Sequence, residues 1–233
     1  MVDFHSHILP GIDDGAVDIE TSAKMLELSK LQGVNTIVAT PHFYAHKHSL
    51  SEFLKIRQKS YENIMEYSAR KNLNIPDIVL GAEVLFVEEL FKKDIKKLCI
   101  GDTNAILIEL PFTYFNEWIY NEIYNISMKY ELDIVLAHIE RYIKKRSDFS
   151  KVKPFFEMDT YIQVNADSFI DRRYKKTVKK IMKDYRIDVL GSDSHNLDSR
   201  ASRMDKASAY IIKKYGEQTI VKMMKNAYNI LSK

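Results

Sequence analysis

The chain has 233 residues, of which 45% are hydrophobic, and its 35 basic and 32 acidic side chains leave a formal net charge of only +3. This size and composition predict one domain, spanning residues 1–233, with a sizeable core. The charge balance gives no indication of nucleic acid or a membrane surface, and every apolar run is far shorter than the roughly 20 residues of a membrane span. A single cysteine excludes an intrachain disulfide, and no basic segment precedes the first strand, so we expect a cytoplasmic protein.

Short apolar runs alternate along the chain with longer amphipathic segments. The short runs predict strands at 2–4, 34–40, 77–82, 105–108, 132–137, 160–166 and 187–192. The longer segments predict helices over 18–32, 49–72, 87–98, 115–130, 148–157, 170–185 and 199–230. Ser49-Leu50-Ser51-Glu52 has the form of a capping box and predicts the start of the second helix, while Gly33 predicts the end of the first.

Repeated alternation of strands and helices predicts an α/β protein with a parallel sheet. Such a sheet is either closed into a barrel or open and doubly wound. Because no glycine-rich phosphate loop follows an early strand, the nucleotide-binding version of the open sheet is disfavoured and the barrel is preferred.

Imidazoles and carboxylates stand at or just after the ends of six of the seven predicted strands. Parallel strands of a barrel present their carboxyl ends on one face, so we expect these groups to meet there. Glu83 and Glu109 are the most informative, because each follows an apolar run where an unpaired carboxylate would be costly. The set at the strand ends comprises His5, His7, His42, Glu83, Glu109, His138, Asp193 and His195.

Each of these residues alone has a structural explanation, such as a capping histidine at His42 or a buried ion pair at Glu83. Together they indicate a metal site, to which the turn containing Asp13 and Asp14 adds one more carboxylate. Of these two we favour Asp14, although spacing does not separate them. The sequence "HKH" at His46 and His48 follows no strand and is typical of a solvated loop.

Nitrogen and carboxylate-oxygen donors without sulfur suit manganese, iron or zinc. The number of ligands exceeds the need of one ion, so we expect a cluster of two or three, with Glu83 as a natural bridge. Such clusters activate water at neutral pH and stabilise both oxygens of an in-line displacement, which makes phosphoester hydrolysis the leading reaction class. Arg141 and Arg200 lie soon after His138 and His195, and guanidinium groups match phosphate oxygens. The alternative is a surface ion pair with a neighbour such as Glu140 or Asp198.

Two other classes of function remain open from the residues alone. The basic stretch 172–186 allows a nuclease, although a solvated helix with Val178 and Ile181 on its apolar side explains it better. A non-catalytic binding module that keeps metals for stability is the second alternative. A small-molecule phosphatase, for example one for histidinol phosphate, is a rival within the hydrolase reading.

The motifs "DFHSHILPGIDDGA", "ATPHF", "GAEV", "ILIELPF", "HIERY", "QVNADS" and "GSDSHN" resemble the PHP (polymerase and histidinol phosphatase) superfamily, and most closely its bacterial protein-tyrosine-phosphatase branch of the CpsB/CapC/YwqE type. The resemblance runs almost from end to end. It implies a distorted TIM-like (β/α)7 barrel with a manganese-dependent, usually trinuclear site. It also implies dephosphorylation of tyrosines on the C-terminal tail of a cognate bacterial tyrosine kinase, which regulates capsule and exopolysaccharide synthesis. The oligomeric state is left open.

The resemblance also implies a division of the ligands among three ions. His5, His7, Glu83 and Asp193 would surround the first, and Glu83 would bridge to a second that Glu109 and His138 also hold. The third would be held by Asp14, His42 and His195, with Arg141 binding phosphate and Arg200 helping it. Water would then attack phosphorus directly, without a phosphoenzyme.

This chain departs from the branch at two positions, since Ile139 stands where proline is common and Asp167 where glycine is common. We expect Ile139 to affect the loop that holds Arg141, and Asp167 to affect substrate preference. Aromatic residues near the same face either contact the ring of a phosphotyrosine or pack loops over the rim of the barrel. They are Phe43, Tyr44, Phe112 and Tyr114.

Overall fold

The computed structural model describes residues 1–88, 90, 94–112 and 117–233. Its strands are β1 (Val2–Ser6), β2 (Thr36–Ala39), β3 (His42–Phe43), β4 (Asp77–Leu80), β5 (Glu83–Leu85), β6 (Ala105–Glu109), β7 (Asp133–Leu136), β8 (Tyr161–Asn165) and β9 (Val189–Gly191). Its helices are α1 (Ile19–Leu31), α2 (Leu50–Lys71), α3 (Glu117–Tyr130), α4 (Phe149–Glu157), α5 (Lys175–Asp184), α6 (Met204–Tyr215) and α7 (Glu217–Leu231). The predicted α/β class and parallel sheet are confirmed.

All strand pairs are parallel, and the sheet curls strongly. One ladder runs β1-β2-β4 and the other runs β3-β5-β6-β7-β8-β9. The two ladders meet at β1 and β9, where Ser6 forms a parallel bridge with Ser194 and the amide of Asp193 donates to the carbonyl of His5 at 2.8 Å. They also continue into each other through Pro41, whose carbonyl accepts from the amide of Glu83 at 3.1 Å. The curl gathers the carboxyl ends of the strands around one space.

Two predicted strands are each followed by a short strand that the sequence analysis did not predict. The strand expected over 34–40 is observed as β2, which ends at Ala39, and β3 begins at His42, with Pro41 between them. Proline has no N–H to donate to a ladder, which explains the gap. The strand expected over 77–82 is observed as β4, and Gly81 and Ala82 separate it from β5, so that Glu83 opens a strand instead of following one.

The helices follow the predicted order with three corrections. The predicted capping box is confirmed, because the Ser49 hydroxyl accepts from the amide of Glu52 at 3.2 Å where α2 begins. The single helix expected over 199–230 is wrong, since Gly216 (φ +90°) ends α6 and α7 begins directly after it. The helix expected over 87–98 is wrong in its described part, which contains a 3-10 turn at Ile95–Leu98, and α5 begins later than predicted, at Lys175.

Helix α7 covers the amino ends of the strands. Ala227 and Ile230 pack in one apolar cluster with Val2 and Ala105, and the amide of Asn226 donates to the carbonyl of Asp188 just before β9. A second and larger core lies between the sheet and the surrounding helices. Within the described residues, no helix has both the length and the apolar composition needed to cross a bilayer. Because α7 closes the amino ends, the carboxyl ends are the accessible mouth of the curled sheet.

Candidate metal centre

Two histidines leave β1 at this mouth with defined orientations. The Nδ1–H group of His5 donates to Oε1 of Gln163 at 3.2 Å, and that of His7 donates to Oδ2 of Asp13 at 2.7 Å. These bonds fix the orientation of each ring, and in the neutral form that binds a metal ion they place the Nδ1 proton away from Nε2, so that both Nε2 atoms carry lone pairs. The two Nε2 atoms lie 3.1 Å apart and face the same space. Imidazoles oriented in this way are typical of metal ligands.

The carboxylate of Glu83 lies at the centre of the histidines. Its Oε2 atom is 3.2 Å from Nε2 of both His5 and His7 and 3.0 Å from Nδ1 of His42, while Oε1 accepts from Nε2 of His138 at 2.8 Å. Burial alone would raise its pKa, but the charge of His5 and the hydrogen bond from His138 hold the pKa of Glu83 well below its usual range. Glu83 is therefore an anion that is fully buried among imidazoles.

Asp193 provides a second buried carboxylate. Its Oδ1 atom lies 3.5 Å from Nε2 of His7 and 3.8 Å from Nε2 of His5, and its Oδ2 atom accepts from the side-chain Nδ2–H of Asn165 at 2.9 Å. Burial opposes ionisation, but the charges of His5 and Arg141 keep the pKa of Asp193 far below the ordinary value. Asp193 thus remains ionised beside both histidines of β1.

Both predicted arginines reach this carboxylate. Nη2 of Arg141 lies 2.6 Å from Oδ2 of Asp193, and Nη2 of Arg200 lies 3.1 Å from Oδ1. Nη1 of Arg200 also lies 3.5 Å from Oδ2 of Asp14. Neither guanidinium pairs with the sequence neighbours considered as alternatives, Glu140 and Asp198. Two guanidinium groups therefore stand at the edge of the cluster.

A third set of groups lies around Asp14. Its Oδ1 atom is 3.4 Å from Nε2 of His42 and 3.5 Å from Nε2 of His195. The Nδ1–H group of His195 donates to the backbone carbonyl of Asp193 at 2.9 Å, which leaves Nε2 as the free lone pair. Burial and the positive charge of His7 lower the pKa of His195 to about 3, so this ring is neutral. Of the two adjacent aspartates, Asp14 is the one that faces this pair of rings.

Glu109 completes the cluster on the other side. Its Oε1 atom lies 3.6 Å from Nε2 of His138. Burial and the nearby charge of Glu83 raise the pKa of Glu109 to about 7.

His138 has φ +32° and Asp193 has φ +51°, in the left-handed region that residues other than glycine rarely adopt. Strain of this kind concentrates at functional sites, where the surrounding structure enforces it.

The donor atoms form three overlapping groups that fit cations. Within each group they lie within 4.8 Å of one another: His7, Asp14, His42 and His195; His5, His7 and Asp193; His42, Glu83 and Glu109. Buried atoms without a hydrogen-bond partner include Oε2 of Glu83, Nδ1 of His42 and Nε2 of His195. Such orphaned acceptors are costly unless a cation satisfies them. The structure brings all nine sequence-predicted ligands to one place: His5, His7, Asp14, His42, Glu83, Glu109, His138, Asp193 and His195.

Three supporting residues were missed as such by the sequence analysis. Asp13 orients His7, and Gln163 orients His5 and accepts from the amide of His138 at 2.7 Å. Buried Glu140 accepts from the amide of Asn165 and from the hydroxyl of Ser168, which ties the turn holding Arg141 to the next strand. The sequence did contain a signal for Gln163. Gln163 and Asn165 are two residues apart in a strand, so their polar side chains lie on the same face of β8, and that face is buried.

The remaining sequence predictions fall outside the cluster. His46 and His48 are exposed in the loop after β3, as expected. Asp167 lines the same cavity as Arg141, and its Oδ1 atom lies 3.4 Å from Nη1 of Arg203. Ile139, at the other departure, is completely buried in the turn before Arg141.

Of the aromatic residues considered near the site, only some can meet a ligand. Phe43 is completely buried against Phe53, so it packs the core and does not face the mouth. Phe112 is 57% exposed and stacks 6.2 Å from the ring of His138, while Tyr44 stacks 5.2 Å from the ring of His42. Tyr114 lies outside the described residues.

A curled parallel sheet whose carboxyl ends assemble imidazoles, carboxylates and arginines in this way defines a metal-dependent hydrolase of the α/β class. The chain belongs to the CpsB/CapC family of capsular polysaccharide synthesis, whose model matches residues 1–232.

Named relatives cover nearly the whole chain. Tyrosine-protein phosphatase CpsB of Streptococcus pneumoniae is 33% identical over 230 residues, which cover 93% of this chain and 91% of that protein. Tyrosine-protein phosphatase YwqE of Bacillus subtilis is 28% identical over 243 residues, covering 99% and 91%. A solved chain from work on B. subtilis YwqE and S. pneumoniae CpsB, described as metal-dependent tyrosine phosphatases, superposes with a TM-score of 0.89 at 25% identity and covers all of this chain and 94% of that one.

Proposed function

We propose that this protein is a metal-dependent protein-tyrosine-phosphatase. The observation that supports it most directly is the position of Arg141 and Arg200, whose guanidinium groups both contact Asp193 at the edge of a nine-ligand cluster. A phosphoryl group at this edge would meet two cationic side chains on one side and the cluster on the other. The similarity to the named phosphatases of S. pneumoniae and B. subtilis supports the same activity.

Manganese is the ion we propose, with iron or zinc as alternatives, because the donors are imidazole nitrogen and carboxylate oxygen. One ion would be held by His5, His7, Glu83 and Asp193. A second ion would be held by Glu109, His138 and the same Glu83. Asp14, His42 and His195 would hold the third, and the observed proximity of their donor atoms supports this set. When bound, such ions activate water as a nucleophile and stabilise the negative charge of the phosphoryl oxygens.

The side chains of this chain supply the remaining parts of the reaction. Arg141 and Arg200 would bind the nonbridging phosphate oxygens and hold phosphorus in line with the attacking water. The phenol of tyrosine has a pKa of about 10, so its phenolate is a better leaving group than an aliphatic alkoxide. Direct attack by water would form the new P–O bond as the bond to the phenolate oxygen breaks, the proton that the water loses would return to the phenolate through solvent, and no covalent phosphoenzyme would form.

Two aromatic side chains support a phenyl substituent on the phosphate. Phe112 is exposed beside His138, and Tyr44 is partly exposed beside His42. Either ring offers an apolar face to the tyrosine side chain of a substrate. A small polar phosphate ester, such as a sugar phosphate, would gain nothing from these contacts.

The proposal also includes the type of barrel, the protein substrate and the process that the enzyme regulates. The strand pairings are compatible with a distorted TIM-like (β/α)7 barrel of the PHP type, with β2/β3 and β4/β5 each acting as one interrupted strand. The protein substrate we propose is the phosphotyrosine-bearing C-terminal tail of a cognate bacterial tyrosine kinase in the cytoplasm, and the regulated process is capsular or exopolysaccharide synthesis.

The experiment that tests the proposal is phosphate release by the purified protein. After chelation, the protein is reconstituted separately with manganese, iron or zinc and assayed on a phosphotyrosine peptide, histidinol phosphate, a sugar phosphate and a nucleotide. We expect release from the phosphotyrosine peptide to exceed the others, to vanish on chelation and to return with metal. Full activity without metal, a trapped phosphoenzyme, or a preference for a small phosphate ester would contradict the proposal.

A further inference from the structure

A cluster of basic side chains lies beside the candidate metal centre but takes no part in it. It is formed by the start of α5 and the adjacent side of α6, and its members line one shallow surface groove together with Tyr210. All five basic residues are exposed. We call this surface the α5–α6 basic face, and its residues are Arg172, Lys175, Lys176, Lys179 and Lys214.

Most of these charges lack an ion-pair partner among the described residues, although neighbouring charges on α5 and just before it are paired. Lys180 pairs with Asp184 at 2.5 Å, and Arg173 pairs with Asp171 at 2.6 Å. Within the part of the chain that the structure describes, Lys176 and Lys179 have no ion-pair partner. On a solvated helix, acidic and basic side chains are usually mixed and neutralise each other. The charged residues of this face are all basic.

The face continues directly into the cavity that holds the arginines of the site. Arg173 and Tyr174 line that cavity together with Arg141 and Arg200, and residues 172 and 175 line the basic groove. Tyr174 is close enough to Arg141 to influence the pKa of the guanidinium. Because α5 follows β8, its first turn lies at the carboxyl ends of the strands, on the same side as the ligands.

Besides Asp193, two carboxylates line the cavity, and each has an arginine beside it. Asp171 accepts from Nε and Nη2 of Arg173, and Asp167 lies 3.4 Å from Arg203. The arginines offset most of the negative charge that an anionic ligand would meet between the cavity and the lysines of α5.

We propose that the α5–α6 basic face binds an acidic stretch of the polypeptide that bears the phosphotyrosine. This inference rests on the proposed function and names the substrate as an acidic phosphotyrosine segment. While the phosphate occupies the cavity beside Arg141 and Arg200, the flanking chain leaves over Tyr174, and its aspartate or glutamate side chains meet the lysines. Oppositely charged surfaces of this kind raise association rates and select among partners more than they add affinity.

A peptide fits this face better than a membrane or a nucleic acid. Among the described residues, α5 exposes no large apolar side chain of the kind that an interfacial helix inserts into lipid. The aromatic side chain in the groove, Tyr210, has the ammonium of Lys175 4.5 Å from its ring centroid and does not offer a free stacking surface for a base. The shared edge with the phosphate-binding cavity favours a ligand that is continuous with the substrate.

The test compares two doubly reversed variants with the same spacing and charge change. Lys176→Glu/Lys179→Glu alters the basic face, and Lys222→Glu/Lys225→Glu alters exposed lysines of α7 at the opposite end of the sheet. Each metal-loaded protein is assayed on two phosphotyrosine peptides that differ only in acidic or neutral residues beside the tyrosine. Thermal unfolding of each variant verifies that both fold.

We expect the wild type to prefer the acidic peptide in kcat/KM, and the preference to decline as salt is added. Lys176→Glu/Lys179→Glu should reduce the acidic-to-neutral ratio about tenfold, in line with the modest contribution of each exposed charge pair. The α7 variant should retain the wild-type ratio. An acidic preference that survives in the α5 variant, or that falls equally in both variants, overturns the proposal.

Binding without hydrolysis separates this inference from the proposed function. A fluorescent acidic peptide without phosphate is titrated against each protein, beside vesicles of phosphatidylserine and phosphatidylcholine and a single-stranded oligonucleotide. If no phosphopeptide is hydrolysed but the acidic peptide binds and loses affinity only in the α5 variant, the phosphatase proposal fails and the docking surface stands. Stronger α5-dependent binding of vesicles or the oligonucleotide than of the peptide overturns the docking proposal.

Discussion

Arg141 and Asp193 form a direct ion pair, with Nη2 of the arginine 2.6 Å from Oδ2 of the aspartate. The aspartate is also close to the histidines of β1, so the pair joins the edge at which we propose phosphate binding to the interior of the candidate ligand cluster. This contact aims the guanidinium at the space in front of the cluster before any substrate arrives. Preorganised charge of this kind needs no rearrangement when negative charge develops on the phosphoryl group.

Replacing Arg141 by alanine should lower kcat on a phosphotyrosine peptide by about 10²–10³-fold, since a cationic donor to the transition state is lost. Arg141→Lys should restore only part of the loss, because an ammonium group lacks the two-pronged geometry of guanidinium. Steady-state kinetics of the metal-loaded proteins measure both effects. Arg70→Ala, in the last turn of α2, is the matched control and should behave as the wild type. Equal activities of Arg141→Ala and the control would remove Arg141 from the mechanism.

Asp13 should control metal affinity without binding metal itself. Its Oδ2 atom accepts from Nδ1–H of His7 and from the amide of His42, so it orients one imidazole and anchors the backbone of another. Asp13→Ala should weaken metal binding by about 10–100-fold, the usual effect of removing a partner of a ligand. Asp13→Asn should recover part of the affinity, because the amide oxygen still accepts a hydrogen bond.

Titration calorimetry with manganese on the chelated proteins measures these affinities. Asp102→Ala, an exposed carboxylate in the turn before β6, serves as the control and should leave binding unchanged. If Asp13→Ala and Asp102→Ala bind manganese equally well, Asp13 has no role in orienting the ligands.

Asp167 should weaken phosphate binding in this particular chain. Its carboxylate lines the same cavity as Arg141 and Arg200, and Arg203 neutralises it only across 3.4 Å at a partly exposed site. Asp167→Asn removes a negative charge near the incoming phosphate, so we expect KM to fall about threefold with little change in kcat, as for other exposed charge pairs. Inhibition by inorganic phosphate should strengthen in parallel. An unchanged KM, with phosphate inhibition also unchanged, would indicate that Arg203 fully screens this carboxylate.

The sequence predicted the members of the cluster better than the roles within it. His138 and Glu83 were identifiable because each stands at the end of an apolar run, and the carboxyl ends of parallel strands converge. The division of labour between Asp13 and Asp14 was not predictable, because adjacent residues in a turn point in directions that only the backbone dihedrals decide. Gln163 was overlooked since its role depends on a hydrogen bond to His5, which is 158 residues away.

For the fold, the order of the strands and helices was predictable, but the points at which they break were not. Alternating periodicity predicts the order of strands and helices, but local breaks depend on single residues such as Pro41 and Gly216. Pro41 separates β2 from β3, a short strand that the apolar run 34–40 does not include, and Gly216 adopts a φ of +90° that divides one amphipathic segment into two helices. Both residues are visible in the sequence, yet their effect on the path of the chain depends on tertiary packing.

Gly191 should be essential because the backbone of β9 passes close to the first histidine. A Cβ atom at this position would lie 2.4 Å from Cβ of His5 and 2.8 Å from Nε2 of Gln163, so alanine must displace the histidine or its orienting partner. Gly191→Ala should lower the free energy of unfolding by about 1–3 kcal/mol, as overpacking of a core usually does, and should also weaken manganese binding.

Gly216→Ala is the informative control, because it strains the chain at a positive φ, but its Cβ would meet no atom within 4 Å and it lies away from the ligands. Chemical denaturation should show both variants destabilised, and calorimetry should show metal affinity reduced only in Gly191→Ala. Manganese binding that is normal in Gly191→Ala would mean that the position of His5 tolerates the displacement, and that this ring contributes little to holding the ions.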